Sequence, residues 1–141
     1  MKMRVNTNFG DVTLPAASAA TLADDNTVTA FLHGHCHSLA LAIHERMGWQ
    51  LIGLYNETRP TNQSPNHTVV RMPNKRLLDI TGYLVGTGGY KVAKPITKDE
   101  ILKWDDYRKP NIKMAQPFAD VLLQTVKLRT KKVSKQMSFG Y

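Results

Sequence analysis

The sequence predicts an α+β fold in which a central helix that carries Cys36 packs on an antiparallel β-sheet. An apolar helical run begins at Cys36 and stops at Gly48, a residue type that readily adopts the left-handed conformation found after helix ends. Residues 67–72 and 76–80 are apolar, strand-like segments separated by the turn residues 73–75, which is the pattern of a β-hairpin. A helix followed by antiparallel strands is typical of a two-layer α+β domain.

The first third of the chain predicts two short strands and two helices. Residues 2–14 are predicted to form a strand, a turn at Gly10-Asp11 and a second strand, because apolar residues flank residue types that favour turns. The polar cluster at residues 24–26 is a candidate N-cap for a short helix over residues 27–32. The helix that carries the cysteine then spans roughly residues 36–47.

The remaining elements follow from composition and capping signals. Residues 49–55 are rich in large apolar side chains and predict a buried strand, whereas the glycine-rich residues 82–89 predict a loop. A capping box that begins at Thr97 predicts a helix over residues 98–108. The apolar spacing over residues 117–129 predicts a last helix.

Size and composition indicate one domain. With 141 residues and 42% hydrophobic residues, the chain can bury a single core, which we place in residues 1–130, with residues 131–141 as a basic and flexible tail. The longest apolar run, residues 39–43, is far below the roughly 20 residues that a membrane span needs, and no leader pattern precedes the domain. Because Cys36 is the only cysteine, no internal disulfide can form. We therefore expect a soluble cytoplasmic protein that contacts no membrane.

The net charge of +8 is concentrated near the C-terminus, because residues 91–141 hold 12 of the 19 Lys and Arg residues. This distribution suits a solvated helix end, or else a surface for an anionic partner such as nucleic acid or an acidic protein face. No aromatic residues are interleaved with the charges as they are in nucleic-acid-binding motifs. The residues that would contact such a partner are Lys127, Arg129, Lys131, Lys132 and Lys135.

Cys36, His67 and Asp79 form a candidate catalytic triad. A cysteine at a helix N-terminus is acidified by free backbone amides and by the helix dipole. His67 opens one predicted strand and Asp79 closes the next, so a histidine could exchange the thiol proton while a carboxylate fixes its orientation. The alternatives are a buried structural thiol at Cys36 and an ordinary strand-end histidine at His67.

Metal binding is the rival chemistry, since imidazole and thiolate are good zinc ligands. Adjacent side chains at a helix start point in different directions, however, and cannot easily share one ion. We therefore predict no metal and no cofactor. The residues concerned are His33, His35, Cys36, His37, His44 and His67.

The segments Gly34-His35-Cys36, His67-Thr68-Val69-Val70 and Leu78-Asp79-Ile80 resemble the papain-like and transglutaminase-like superfamily of cysteine enzymes. The resemblance covers about residues 30–82 and is strongest to the compact, transglutaminase-like arrangement, in which histidine and aspartate lie a hairpin apart. It implies that Cys36 is the nucleophile, His67 the general base and acid, and Asp79 the orienting group.

The resemblance also implies acyl transfer, with hydrolysis of a peptide or isopeptide bond in a protein substrate as the leading reaction and deamidation or transglutamination next. Papain-type enzymes place a glutamine about six residues before the cysteine, where this chain has Ala30. We therefore expect the Cys36 amide to donate one hydrogen bond to the oxyanion. His35 is the first candidate for the second donor, and Thr29, His33 or a distant loop are the alternatives.

A different class of function is a binding protein that keeps this shell without turnover and uses its basic last third on an anionic partner. The small size and basic end would also suit a phage or bacterial effector that acts in the host cytoplasm.

Hairpin geometry supplies one sharp expectation. Residues that face each other across a hairpin share a face of the sheet, so His67 and Asp79 can meet only if the loop between their strands has an odd number of residues. The sequence therefore predicts an odd loop, such as Pro73-Asn74-Lys75, or a bulge, with Val69 opposite Leu77 or opposite Asp79.

Overall fold

The computed structural model of the chain describes residues 3–140, and the side chains of residues 3–126. The strands of this part of the chain are β1 (Met3–Thr7), β2 (Gly10–Leu14), β3 (Gln50–Tyr55), β4 (His67–Arg71), β5 (Leu77–Asp79), β6 (Gly82–Tyr83) and β7 (Val92–Ile96). The α-helices are α1 (Asp25–Leu32), α2 (Cys36–Met47), α3 (Lys98–Lys103) and α4 (Ile112–Gly140), and a short 3-10 helix, Thr21–Ala23, precedes α1.

The strands form one five-stranded antiparallel sheet and one separate hairpin. The order in the sheet is β6-β5-β4-β3-β7, and β1 pairs only with β2. Helix α2 packs between this sheet and α4, with every residue of 36–43 buried. The predicted α+β class is confirmed, and so is the central position of the helix that carries Cys36.

Helix α2 ends where the sequence predicts. Gly48 adopts a left-handed conformation with φ of 70°, and its N–H donates to the carbonyl of His44. Glycine is suited to this position because it carries no Cβ to clash. The N-cap prediction for α1 is also confirmed, since the Asp24 side chain accepts from the backbone N–H groups of Asn26 and Thr27.

The β4–β5 hairpin has the predicted odd loop. Val70 pairs with Leu78 and Arg71 with Leu77, and the N–H of Met72 then donates to the carbonyl of Arg76 over 2.9 Å, which closes a three-residue loop over residues 73–75. Lys75 has a positive φ of 69°, which is typical of the third residue in such loops. Continued by one residue, this register sets Val69 opposite Asp79, one of the two pairings that the sequence allows.

The N-terminal hairpin turns earlier than predicted. Thr7 pairs with Gly10, so the turn lies at Asn8-Phe9 and not at Gly10-Asp11. The Thr7 side chain closes it, because Thr7 Oγ1 donates to the Gly10 carbonyl and accepts from the N–H of Phe9.

The predicted helix over residues 98–108 is too long. The Thr97 cap is correct, but α3 ends at Lys103, because residues 104–111 leave the helix and cross the start of α2. The last helix begins earlier than predicted, since the Asn111 side chain accepts from the N–H of Met114 and caps α4 before Pro117. Below, residues 104–111 are called the crossing segment.

Two strands were not predicted. Strand β6 lies within residues 82–89, which read as a loop, and β7 contains Pro95. Strand β7 is an edge strand that pairs only with β3, and proline is tolerated at a sheet edge because no second neighbour needs its missing N–H.

The last part of the basic region lies outside the described side chains. The side chains concerned are those of Lys127, Arg129, Lys131, Lys132 and Lys135. Within the described part of the chain, no helix combines the length and the apolar character that crossing a membrane requires.

Candidate active site

Cys36 is the first residue of α2 and is held there by a tight preceding turn. At Gly34 φ is +155°, and a Cβ there would lie 3.1 Å from the backbone of Thr7 and 3.1 Å from Arg108 Nη1. Glycine therefore allows the β1–β2 hairpin and the crossing segment to close on both sides of the turn. The backbone N–H of Cys36 lies at the first position of the helix, where α-helical geometry provides no acceptor.

His67 and Asp79 are hydrogen-bonded as the hairpin geometry predicts. His67 Nε2 donates to Asp79 Oδ2 over 2.9 Å, and both side chains are buried. The other carboxylate oxygen, Oδ1, accepts from the backbone N–H and the hydroxyl of Thr81. Asp79 is therefore held from both sides, and ring nitrogen Nδ1 of His67 is left to interact with Cys36.

Cys36 and His67 have the electrostatics of a thiolate–imidazolium pair. Burial disfavours the thiolate, but the interactions of the thiol with the imidazole groups of His37 and His67 outweigh it and lower the pKa of Cys36 well below its ordinary value. Burial also disfavours an imidazolium at His67, but hydrogen bonds and negative charge from Asp79 and Cys36 raise its pKa to about 10.

The pKa of Asp79 completes the arrangement. Burial alone would raise the pKa of this carboxyl, but the hydrogen bonds from His67 and Thr81 lower it below the ordinary value. All three groups are thus charged near neutral pH, in the order thiolate, imidazolium and carboxylate. Such a sequence of charges activates a thiol for attack on a carbonyl carbon.

His37 is a second histidine beside the thiol. Its Nε2 donates to the backbone carbonyl of Arg108 over 2.6 Å, and its buried Nδ1 has no partner in hydrogen-bonding geometry within the described part of the chain. The ring packs against Tyr107 with centroids 4.6 Å apart. His37 therefore ties the first turn of α2 to the crossing segment.

Tyr107 brings a hydroxyl to the thiol from a distant part of the sequence. Its oxygen lies 3.7 Å from Cys36 Sγ and 2.9 Å from Thr68 Oγ1. Burial, together with the negative charge on Cys36, raises the pKa of Tyr107 well above its ordinary value. The phenol therefore stays protonated and can donate a hydrogen bond next to Cys36 Sγ.

His35 does not have a free donor for an oxyanion. Its backbone N–H donates to the carbonyl of Ala30, Nε2 contacts Asn6 Oδ1, and Nδ1 contacts Ser38 Oγ. Burial, then positive charge on His37 and Arg108, lower the pKa of His35 to about 4, so its ring is neutral. The expectation that His35 is the second oxyanion donor is therefore revised, and its ring instead anchors the helix start to β1.

A cleft of about 550 Å³ opens beside the thiol. Its lining comes from the start of α2 and the turn before it, from the loop over residues 59–66 and from the crossing segment, which contributes Asp105, Asp106, Tyr107 and Arg108. The crossing segment is fixed to α2 by the bond from His37 to Arg108 and by a bond from the Asn111 N–H to Ser38 Oγ, 2.9 Å long.

The two tyrosines near the glycine-rich loop differ in position. Tyr90 stacks on His67 with ring centroids 6.1 Å apart, so it borders the candidate site. Tyr83 packs under the guanidinium of Arg76, which lies 4.1 Å from its ring centre. Tyr90 therefore contacts the candidate triad through His67, although it is not among the residues that line the 550 Å³ cleft.

The histidines do not assemble into a metal site in the described part of the chain, where no group of three or more His, Cys, Asp or Glu side chains is placed to hold an ion. His33 packs edge-on against Phe9, and His44 Nδ1 bonds the carbonyl of Trp49.

Sequence reasoning missed Tyr107 and His37 as neighbours of the thiol. Tyr107 is 71 residues from Cys36, and the capping box at Thr97 had placed it in a helix. For His37 a signal existed, because a second histidine adjacent to the cysteine is visible in the sequence.

Comparisons of the chain with protein-family models, with curated proteins and with solved structures found no match.

Proposed function

We propose that this protein is a cysteine-dependent acyl-transfer enzyme that hydrolyses a peptide or isopeptide bond through a Cys36 acyl-enzyme. The observation that carries the proposal is the buried His67–Asp79 hydrogen bond of 2.9 Å beside a cysteine whose pKa is lowered at a helix start. A structural cysteine needs neither an oriented imidazole nor a charged carboxylate behind it.

The order of elements supports a transglutaminase-like member of the papain-like group. The nucleophile begins a helix, the histidine opens the second of the following strands and the aspartate ends the next one. This order is what the resemblance in the sequence implies, and the odd hairpin loop allows His67 to meet Asp79.

In the proposed first step, the Cys36 thiolate attacks a carbonyl carbon and a C–S bond forms. The carbonyl oxygen becomes an oxyanion, which accepts hydrogen bonds from the Cys36 amide and the Tyr107 hydroxyl. The His67 imidazolium then gives its proton to the leaving nitrogen as the C–N bond breaks, so that an amine departs and a thioester remains.

In the second step, neutral His67 takes a proton from water, whose oxygen attacks the thioester carbon. Collapse of the intermediate breaks the C–S bond, releases a carboxylic acid and restores the thiolate–imidazolium pair. If an amine replaces water, the same step gives transamidation, and a side-chain amide as acyl donor gives deamidation.

A generic activated ester tests the proposal without knowledge of the substrate. p-Nitrophenyl acetate should give a burst of nitrophenolate, and mass spectrometry should find one acetyl group on Cys36. Cys36→Ser should show no burst. Acetylation at lysines with no burst, in a protein that is folded by circular dichroism, would contradict the enzyme and favour the binding protein.

Cell lysate then identifies the reaction. Lysate treated with the wild-type chain is compared with lysate treated with Cys36→Ser, by mass spectrometry of peptides. New termini would indicate hydrolysis, conversion of glutamine to glutamate would indicate deamidation, and crosslinked peptides would indicate transamidation. We propose a cytoplasmic protein substrate, since the lone thiol suits a reducing compartment.

A further inference from the structure

The two arginines that line the cleft are held in different ways. Arg59 forms an ion pair with Asp106, with Nη2 2.6 Å from the carboxylate, and also donates to Ser64. Arg108 donates from Nη1 to the neutral Asn8 Oδ1 over 2.6 Å. Among the described side chains Arg108 forms no ion pair. The charge of Arg59 is therefore neutralised inside the protein, and that of Arg108 is not.

The Arg108 guanidinium is fixed in place next to the nucleophile. The backbone carbonyl of Arg108 accepts a hydrogen bond from His37, and Arg108 Nη1 lies 3.1 Å from the position that a Cβ at Gly34 would occupy. The group thus lies over the turn that leads into Cys36, and both residues line the same cleft. A guanidinium has five N–H donors in a planar fork, which matches the two oxygens of a carboxylate.

We infer that the cleft binds the acyl donor through a carboxylate, which pairs with Arg108 while its carbonyl group lies at Cys36. This inference rests on the proposed function and adds the class of substrate: an acyl donor with a free or side-chain carboxylate close to the bond that is cleaved. Asn8 and the Arg108 backbone position the guanidinium before the substrate arrives. The Arg108 side chain therefore loses little conformational entropy on binding.

Asp105 is the feature of the cleft that argues for a different ligand. It is exposed, and like Arg108 it has no ion pair among the described side chains. An exposed carboxylate is well hydrated and attracts a cation weakly, whereas the partly buried Arg108 is less screened by water. A cationic ligand at Asp105 is therefore an outcome of the test below.

Matched alkylating probes test the inference. N-Iodoacetylglycine carries a carboxylate, and N-iodoacetylglycinamide is its neutral equivalent. We expect the ratio of their rates of reaction with Cys36, at about physiological salt, to fall roughly five- to tenfold in Arg108→Gln. Arg108→Lys keeps the charge but not the fork and should lie between. Arg71→Gln removes the same charge at the far end of β4 and should keep the wild-type ratio.

An equilibrium measurement makes the inference independent of thiol chemistry. Binding of N-acetylglycine and N-acetylglycinamide to the Cys36→Ala protein is followed by NMR titration, and the carboxylate should bind more tightly unless Arg108 is also replaced. An unchanged ratio and unchanged binding in Arg108→Gln would overturn the inference. So would faster reaction of a cationic probe, N-(2-aminoethyl)iodoacetamide, that depends on Asp105. Failure of the proposed function itself would instead appear as an unactivated thiol toward every probe.

Discussion

The two sides of the candidate site are built differently. On the reacting side, Cys36 lies on α2, His67 on β4 and Asp79 on β5. His67 lowers the pKa of Cys36, and Asp79 and His67 shift each other's pKa so that both are charged. On the flanking side, the β1–β2 hairpin pairs with no strand of the five-stranded sheet, the crossing segment is irregular, and both contribute neutral hydrogen bonds to the start of α2. The main sheet and α2 thus hold the three charged groups, and elements outside the sheet fix the helix end that presents Cys36.

This difference implies different consequences of mutation. Loss of a charged group on the reacting side changes the pKa of its neighbours, and therefore the pH dependence of the reaction. Loss of a neutral group on the flanking side removes one donor or one anchor and leaves the charges in place. The four variants below test this distinction, from the largest expected effect to the smallest.

His67→Gln should have the largest effect. Without the imidazolium beside it the thiolate is less stable, so the pKa of Cys36 rises towards the ordinary thiol value of about 8.5. We expect iodoacetamide alkylation at pH 6 to slow by roughly 100-fold, with the midpoint of the pH–rate profile moved to higher pH. His44→Gln, a histidine at the other end of α2, is the matched control. An unchanged profile in His67→Gln would remove His67 from the site.

Asp79→Asn should act through His67. The amide cannot supply the negative charge that raises the pKa of His67 to about 10, so this pKa should fall. The thiolate–imidazolium pair, which persists up to the pKa of His67, would then be lost at lower pH. Acetylation by p-nitrophenyl acetate should slow by about 10- to 100-fold.

NMR titration of the His67 ring measures that pKa directly. Thr81→Val is the control, since it removes one hydroxyl from Asp79 Oδ1 and keeps the carboxylate. A His67 pKa that is the same in Asp79→Asn and in the wild type would contradict the orienting role of Asp79.

Tyr107→Phe tests the flanking side. Loss of the hydroxyl removes one proposed donor to the oxyanion, so the turnover number should fall roughly tenfold or more while KM changes little. The upper limb of the pH–rate profile, which reports His67, should keep its position. Tyr55→Phe removes a phenol that bonds Gln63, away from the thiol, and is the matched control. A fall in affinity alone would assign Tyr107 to substrate binding instead.

The same division explains which parts of the structure the sequence could predict. The helix start, the hairpin and its odd loop follow from local patterns, namely periodicity, glycine and turn residues. These patterns sufficed to bring His67 to Asp79, because the register of a hairpin is determined by its loop. No comparable rule exists for the crossing segment, whose bonds to His37 and Ser38 join residues more than 70 positions apart.

Two wrong predictions show this limit. The capping box at Thr97 is a local signal, and it correctly predicts where α3 begins. The end of α3 depends on tertiary contacts, which place Tyr107 beside Cys36. His35 was selected as an oxyanion donor from its place beside the cysteine. Its amide is instead used by Ala30, a contact that depends on how α1 ends.

His35→Gln should have the smallest effect of the four variants, and the property that it changes is the stability of the fold in acid. The pKa of His35 is lowered to about 4, whereas in the unfolded chain it is about 6.5. As the pH falls from 6.5 towards 4, the unfolded chain takes up a proton that the folded protein excludes, so the wild type loses stability in this range. Glutamine does not titrate, and the variant should lose roughly 1 kcal/mol less than the wild type between pH 7 and 4.5, measured by urea unfolding. Equal losses in the two proteins would show that His35 is protonated in the folded state and that the start of α2 tolerates a charge there.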